Sequence, residues 1–449
     1  MLTKSTTSAV EGEWALVLRR PSWSMVMIVL VLLVSLWMRL EYISGLDVKP
    51  ISDMGDYDQR AVKLAEEGTF VTGQEHGATY RAPGYVLFLG GLYDLFGHKY
   101  RMVYGVQSLL SVATLFAIYL IGRRLFDSQV ALLALLIGAL YVPFIGYSGV
   151  LLTESLFLAL FTYALYAFLC GAQDGKLSWY LLAGALFGLA ALTRSVALLL
   201  PVIAVIWLML AAKTVRLPRP TWGRLGLMAL VMAAVIAPWT IRNAIEQQQF
   251  VLIDTTAGLN LLIGNNDYAD GIFTEKIYDL PAFHNAMAGD KSDTERDAIM
   301  KDAGQAWILN NPGQFAGLTW QRFQMYLSAH KDWIADPYEW YRIPLYSKPF
   351  LARYQWTLMS LGLVGAVLAC WRDRQALLPV LIAGYFLGTI SIFFVQTRYQ
   401  LPAMPFIILL AAYVLRYLWT SPRALVPIVA AVIGLSWWLE GLAAQYHVM

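Results

Sequence analysis

Charge is what this chain has least of. Only 14% of its 449 residues are Asp, Glu, Lys or Arg, against roughly a quarter in an ordinary soluble domain. That excludes a soluble globule of this size, which would need more polar surface than the chain can supply. The net charge of +3 is too small to point to nucleic acid as a partner. Two cysteines, Cys170 and Cys370, cannot build a disulfide scaffold; both fall at the ends of apolar runs and read as small hydrophobes. The histidines, His76, His98, His284, His330 and His447, lack metal-ligand spacing, so no zinc site is expected. The sequence carries no phosphate-binding loop, no supportable Ser-His-Asp pattern, no internal repeat and no low-complexity stretch. The first apolar run is too long for a signal peptide and lacks a small-residue cleavage site, so it reads as a retained span.

What is abundant is apolar surface. Hydrophobic residues make up 58% of the chain and mean hydropathy is +0.55; this richness also excludes disorder. The fold class that remains is an all-α polytopic membrane protein. A window of about 20 apolar residues picks out runs near 23–43, 101–122, 129–146, 150–170, 178–193, 195–212, 224–241, 350–371, 375–395, 400–419 and 424–442, a bundle of about 11 transmembrane helices.

Lysine and arginine in short loops set the orientation. With the N-terminus in the cytoplasm, that side receives Lys4, Arg19, Arg20, Arg123, Arg124, Lys176, Lys213, Arg216, Arg219, Arg224, Arg372, Arg374, Arg416 and Arg423. The short loops opposite receive only Arg194 and Arg398. Counting 84–97 as a span would spoil this bias, so that run is read as a helix lying at the outer interface. The chain then divides into a cytoplasmic N-terminus (1–22), an N-terminal transmembrane module (23–242) that includes a first outer loop (44–100), an extracytoplasmic loop domain (243–349) and a C-terminal transmembrane module (350–449). In the loop domain, Ser292 and Glu295 fit a capping box before a helix reaching about Asn310. Asn310-Asn311-Pro312 stops it, and a further helix is expected through Gln321 to Ser328. Trp307, Trp320, Trp333 and Trp340 suggest that the region rests on the membrane interface.

The informative residues are ionisable groups that break the apolar pattern, all assigned to the outer boundary. They are Asp53, Asp56 and Asp58 after the first span, Arg81 in Tyr80-Arg81-Ala82-Pro83-Gly84-Tyr85, Glu154 at the start of an apolar helix, and Arg194, Arg242 and Arg398 at span ends. Such residues cost several kcal/mol unless paired or hydrated, which makes them functional candidates. Arginines at headgroup depth can hold a phosphate by charge-assisted bonds, and a nearby carboxylate can accept a proton from a hydroxyl. Together they suit transfer of a sugar from a polyprenyl phosphate, with arginine stabilising charge on the leaving group. Blander roles stand beside these: Asp53 as a helix cap, Arg81 as an interface snorkel, Arg194 as an anchor, Glu154 as a buried acid donating to a neighbouring helix. Asp58 reads as solvated, and Arg39 with Glu41 as paired or snorkelling.

The same segments resemble bacterial members of the dolichyl-phosphate-mannose–protein mannosyltransferase superfamily, which includes the lipid A aminoarabinose transferases. The matching stretches, in order, are Ser52-Asp53-Met54-Gly55-Asp56-Tyr57, Tyr80-Arg81-Ala82-Pro83-Gly84-Tyr85, Leu152-Thr153-Glu154-Ser155-Leu156-Phe157, Ala237-Pro238-Trp239-Thr240-Ile241-Arg242-Asn243 with Gly258 to Asn266, and Arg398-Tyr399-Gln400-Leu401-Pro402-Ala403-Met404-Pro405. The resemblance implies a GT-C fold with periplasmic juxtamembrane helices and one larger α-rich outer loop. It implies a glycosyltransferase of the plasma (inner) membrane with an extracytoplasmic active site, in which Asp53 is the catalytic base and Arg81, Arg242 and Arg398 bind the donor phosphate. Asp56, Tyr57, Tyr80, Tyr85 and Glu154 complete the expected substrate site. Many relatives have a second acidic residue directly after the aspartate; here that position is Met54, which leaves Asp56 as the candidate for its role. The outer loop is too short for the extra soluble domain of eukaryotic protein mannosyltransferases. The expected partners are a polyprenyl-phosphate sugar, a lipid, glycan or protein hydroxyl as acceptor, and membrane lipid. No cofactor is required; Asp53, Asp56 and Glu154 are compatible with a divalent cation should they converge. Rival readings are a polysaccharide ligase or polymerase using a pyrophosphate-linked donor, and a lipid-sugar flippase or transporter; the latter predicts broken helices and midplane polar residues.

Overall fold

An apolar run in lipid must satisfy its backbone N–H and C=O groups within the segment, which makes it a helix. The computed structural model describes residues 23–46, 49–70, 77, 79–211, 222–328 and 348–446. The N-terminal segment 1–22, with Lys4, Arg19 and Arg20, lies outside the described residues. So do His76, Lys213, Arg216, Arg219, His330, Trp333, Trp340 and His447.

The chain runs through α1 (Trp23–Ser44), α2 (Asp53–Glu67), α3 (Pro83–Phe96), α4 (Tyr100–Leu125), α5 (Ser128–Ala139), α6 (Val142–Gly146), α7 (Glu154–Asp174), α8 (Leu177–Thr193), α9 (Leu200–Ala211) and α10 (Trp222–Gln247). The outer loop domain follows as α11 (Ala257–Gly264), α12 (Pro281–Met287), α13 (Asp293–Asn310) and α14 (Pro312–Ser328). The chain closes with α15 (Lys348–Arg372), α16 (Leu377–Ile392), α17 (Met404–Thr420) and α18 (Leu425–Gln445). Among the described residues the only β pairing is an isolated bridge between Ile272 and Val395.

Every apolar run read from the sequence is occupied by helix. Among the described residues, seven stretches, in α1, α4, α7, α10, α15, α16 and α18, are long and apolar enough to cross a membrane alone. The run 129–146 is not one straight span: it breaks into α5 and α6, bent by 62°. Pro143 in the first turn of α6 lacks an N–H and disfavours helix in the residue before it. α8, α17 and the segment Ser195–Ala211 are apolar but shorter. The chain is a multi-pass membrane protein.

The helix α3, 14 residues long, spans only about 21 Å, too short for a hydrocarbon core of about 30 Å. It packs on α2 and on the end of α8. Gly84 permits this approach: a Cβ there would sit 2.7 Å from Thr193 Oγ1 and 2.9 Å from the Leu192 carbonyl oxygen.

In the outer domain, α13 begins at the expected capping box of Ser292 and Glu295 and ends at Asn310, and α14 begins at Pro312. A Cβ on Gly264, at the end of α11, would collide with the Phe393 carbonyl. That contact seats the outer domain against the segment after α16.

Arg39 corrects an expectation. It neither snorkels nor pairs with Glu41 but is fully buried, donating to Ser111 Oγ of α4 at 2.9 Å and to the Ser35 carbonyl at 2.9 Å. Two serines on facing helices make a polar notch that hydropathy averaging conceals.

The bundle has two chemically different ends. At one, Arg124 pairs with Asp174 at 2.7 Å, Arg416 approaches Asp127 at 3.5 Å and Arg372 donates to Tyr417 at 3.1 Å. At the other lies Glu154, separated from Asp174 by the 21 residues of α7, about 31 Å of helix.

Candidate active site

The first turn of α2 carries Asp53 and Asp56, with Tyr57 and Arg60 one turn on. At spacings of three and four these residues share one helix face. The residue before the helix, Ser52, has φ 51° and ψ −130°, a backbone setting that non-glycine residues rarely adopt and that clusters near functional sites. Asp53 is therefore the first helical residue, and the capping position preceding it belongs to Ser52.

Both oxygens of Asp53 are occupied. Oδ1 accepts from Arg81 Nη2 at 2.7 Å, and Oδ2 accepts from Arg398 Nη2 at 2.7 Å. Arg81 also donates through Nε to Asp56 Oδ2 at 2.6 Å, and Asp56 Oδ1 accepts from Arg60 Nε at 2.9 Å. Charges thus alternate along Arg60, Asp56, Arg81, Asp53 and Arg398, residues up to 345 positions apart brought into one row. Arg60 is fully buried and anchors the row on the Gly77 carbonyl at 3.1 Å. The Arg81 guanidinium lies 4.9 Å from the ring centres of both Tyr57 and Tyr80, which hold its plane by cation–π attraction.

Burial acts to raise the Asp53 carboxyl, but the charges of Arg81 and Arg398 and their hydrogen bonds outweigh it and hold the group well below the usual carboxylate range. Asp56 is lowered in the same way, burial being outweighed by Arg81 and Arg60. Burial pushes the Tyr57 hydroxyl up to about 12, so it stays protonated at neutral pH.

A second ion pair stands beside the first. Glu154, buried at the start of α7, accepts from Arg194 Nη1 at 2.7 Å. Arg194 also reaches Thr153 Oγ1 at 3.2 Å and lies 5.6 Å from the Tyr399 ring, and Arg398 lies 5.5 Å from the same ring. Glu154 is thus an ion-pair acceptor rather than an acid donating to a neighbouring helix, and Arg194 does more than anchor a helix end.

These residues line one cavity of about 520 Å³. Asp53, Tyr57, Tyr80, Arg81, Glu154, Arg194 and Arg398 form its polar part; Val196, Leu198, Leu199, Phe386, Ile390 and Phe393 form an apolar wing, and Asp254 and Asn260 contribute from the outer domain. Not every expected residue is there. Tyr85 is fully buried and donates to Gln107 Oε1 at 2.7 Å, with its ring edge-on to Tyr57 at 5.1 Å; it supports the cavity wall from behind. Asp56 likewise stands behind Arg81. Arg242 is off the lining: its guanidinium lies 4.7 Å from Trp239 and 5.8 Å from Phe70.

Two acids differ from their sequence reading or escaped it. Asp58 is not solvated. It is buried and accepts from Tyr93 at 2.6 Å and Tyr100 at 2.8 Å, with His98 Nε2 at 2.9 Å, and so fastens α2 to α3 and α4. Asp293, unmarked in sequence beyond its neighbouring capping serine, accepts from the backbone N–H groups of Gly77 at 2.9 Å and Thr79 at 3.1 Å and from Thr79 Oγ1 at 2.9 Å. It ties the outer domain to the loop that carries Arg81. Asp293→Ala leaves three donors unmatched, an expected cost of about 2 kcal/mol. Thermal unfolding should register it as a lowered midpoint; an unchanged midpoint would show that the tie has no consequence for stability.

Asp53 and Asp56 converge on Arg81 while Glu154 turns to Arg194, so the three carboxylates do not form one ligand set. Among the described residues no group of three or more His, Cys, Asp or Glu side chains is placed to hold a metal ion.

Residues 80–241 match the family model of dolichyl-phosphate-mannose-protein mannosyltransferase. No curated protein sequence matches the chain significantly. Among solved structures, the oligosaccharyltransferase of Archaeoglobus fulgidus tethered to an acceptor peptide aligns with a TM-score of 0.55 at 15% identity, over 95% of this chain and 55% of that one. The same organism's oligosaccharyltransferase AglB, in complex with an inhibitory peptide and a dolichol-phosphate, aligns with a TM-score of 0.52 at 16% identity, over 95% and 56%. ArnT from Cupriavidus metallidurans bound to undecaprenyl phosphate aligns with a TM-score of 0.41 at 16% identity, over 86% and 76%. The chain spans just over half the length of the archaeal structures it matches. The matched stretch, residues 80–241, carries Arg81, Glu154 and Arg194, and the chain as a whole shares the fold of the archaeal oligosaccharyltransferase structures.

Proposed function

We propose that this protein moves a monosaccharide from a polyprenyl-phosphate-linked donor to an acceptor hydroxyl on the extracytoplasmic side of the plasma (inner) membrane. The observation that carries the reading is the position of Asp53 between Arg81 and Arg398, on the wall of a cavity whose other wing is apolar. An ionised carboxylate suits proton acceptance, two guanidinium groups suit a phosphate, and the apolar wing suits the first isoprene units of its lipid.

In this mechanism the donor phosphate meets Arg81 and Arg398. The acceptor oxygen attacks the anomeric carbon while its proton passes to Asp53. The bond from that carbon to the phosphate oxygen breaks, and its electron pair stays on the phosphate. A single displacement inverts the anomeric centre; with Asp53, the carboxylate held by both Arg81 and Arg398, assigned as base, the reaction needs no covalent intermediate. Two findings support the substrate class: the family match is to enzymes described by dolichyl-phosphate-mannose, and the archaeal relative of the same fold has been captured with dolichol-phosphate. The outer-face assignment is supported by the distance between the cavity and the arginine-rich end of the bundle. Arg194 and Glu154, on the same cavity wall, are the groups best placed for the sugar hydroxyls, and the acceptor enters past Asp254 and Asn260.

The test is incubation of the purified protein, in liposomes, with a radiolabelled lipid-linked sugar. Release of lipid monophosphate with label moving to an acceptor is the expected result. Release of lipid pyrophosphate from a pyrophosphate-linked donor would identify a ligase or polymerase instead, and movement of intact donor between leaflets without cleavage would identify a transporter.

A further inference from the structure

The two cations nearest Asp53 are the two assigned to the phosphate, and Asp53 already gives one oxygen to each. In the row through Asp53 and the ion pair beside it the other charges are matched; Asp254, which lines the cavity from the outer domain, lies outside that row. Arg194 is held by buried Glu154, and Asp56, which takes the Nε side of Arg81, is itself held by Arg60. Arg81 and Arg398 with Asp53 therefore leave a surplus of one positive charge, which suits a phosphodiester monoanion. A phosphomonoester carries close to two negative charges above its second ionisation near pH 6. Sugar transfer converts the first into the second. In the same step Asp53 receives the acceptor proton and loses its own negative charge.

Resting on the transferase reading above, we infer that Asp53 is a specificity determinant as well as a base: ionised, it restricts the Arg81–Arg398 pair to a phosphodiester, and protonated, it releases the pair to the phosphomonoester. The guanidinium groups then exchange partners during the reaction. In the ground state each divides its hydrogen bonds between Asp53 and the donor phosphate. As the proton moves to Asp53 and the electron pair moves to the phosphate, the attraction shifts from one to the other. Stabilisation of this kind grows toward the transition state and is absent from the bound substrate, which is the condition for accelerating the chemical step. After transfer, loss of the proton from Asp53 to water restores its claim on both arginines and expels the lipid monophosphate.

The experiment compares two probes on one sample at pH 8: farnesyl phosphate, a dianion, and its monomethyl diester, a monoanion. The quantity read is the ratio of their dissociation constants, which cancels any unfolded fraction. In Asp53→Asn the ratio should move toward the dianion by about tenfold or more, the lower end of what one adjacent charge does to an ionisation equilibrium. Asp53→Ala should move it the same way, so a folding defect peculiar to one variant does not decide the matter. A ratio that stays at the wild-type value in both variants overturns the exchange while leaving the lipid-phosphate reading intact. Failure of the wild-type protein to bind either probe overturns that reading as well.

Discussion

Asp53→Asn should slow sugar transfer by about a thousandfold while leaving the protein folded in the membrane, within the range that a positioned proton acceptor contributes. The amide keeps the size of the carboxylate but cannot take the acceptor proton. It also cannot satisfy Arg81 and Arg398 equally, since one of its two heavy atoms is itself a donor. Stability at pH 7 should therefore fall measurably. The sign follows from the lowered folded-state ionisation of Asp53: its contribution is fully present above the ordinary carboxylate value of about 3.9 and is lost only as pH falls through the lower folded value. Rate and unfolding midpoint, measured on the same detergent-purified sample, separate the two effects. A wild-type rate in Asp53→Asn ends the base assignment. The pH profile gives a second check. The acid limb of kcat/KM, which reports the free enzyme, should lie below the ordinary carboxylate value. The acid limb of kcat should lie higher, because the bound phosphate then shares the arginines that hold Asp53 down.

Sequence alone carried the helical architecture and most of the polar cluster, for a definite reason. In an apolar chain each charge stands out, and lysine and arginine sidedness places it at one boundary. That logic brings Asp53, Arg81, Glu154 and Arg398 to a single end without any coordinates, and the cavity lining contains all four. It fails where the information is geometric. Arg242 ends a span much as Arg194 does, yet its side chain turns onto Trp239 while that of Arg194 lines the cavity; nothing in spacing distinguishes them. Asp58 lies five residues after Asp53 and so emerges on the other face of α2. Its partners Tyr93, His98 and Tyr100 belong to later segments, so its burial is invisible locally. Tyr85 reads as a ligand contact within its motif, yet at 0% exposure it supports Tyr57 instead. Asp293 illustrates the opposite error, since a residue beside an ordinary helix cap holds the Arg81 loop from 214 positions away. Break points such as the bend before Pro143 were likewise concealed by the window that found the span.

Arg81→Lys is the more demanding test of the site, because it keeps the charge and removes only the geometry. Arg81 reaches Asp53 through Nη2 and Asp56 through Nε while lying against the Tyr57 and Tyr80 rings. An ammonium is a compact point charge without a fork, so it can sit with Asp53 or with Asp56 but not span both in the same plane. Donor affinity should fall by about tenfold to a hundredfold, the equivalent of one charge-assisted hydrogen bond. The Arg81 side chain is 16% exposed, which keeps solvent screening modest. Arg81→Glu should go further, placing a third carboxylate beside two that already depend on guanidinium partners. It should abolish donor binding and lower the unfolding midpoint by several degrees, in keeping with a loss of about 3 kcal/mol or more when a buried pair is broken. Arg242→Gln is the internal comparison: off the cavity lining, it should alter donor affinity by less than about threefold, the scale of a surface charge. The order Arg81→Glu, Arg81→Lys, Arg242→Gln is what a phosphate held at the Asp53 row requires. If Arg242→Gln weakened the donor as strongly as Arg81→Lys, the phosphate would have to lie nearer Trp239 than Asp53, and the base would then stand too far from the bond it is meant to help break.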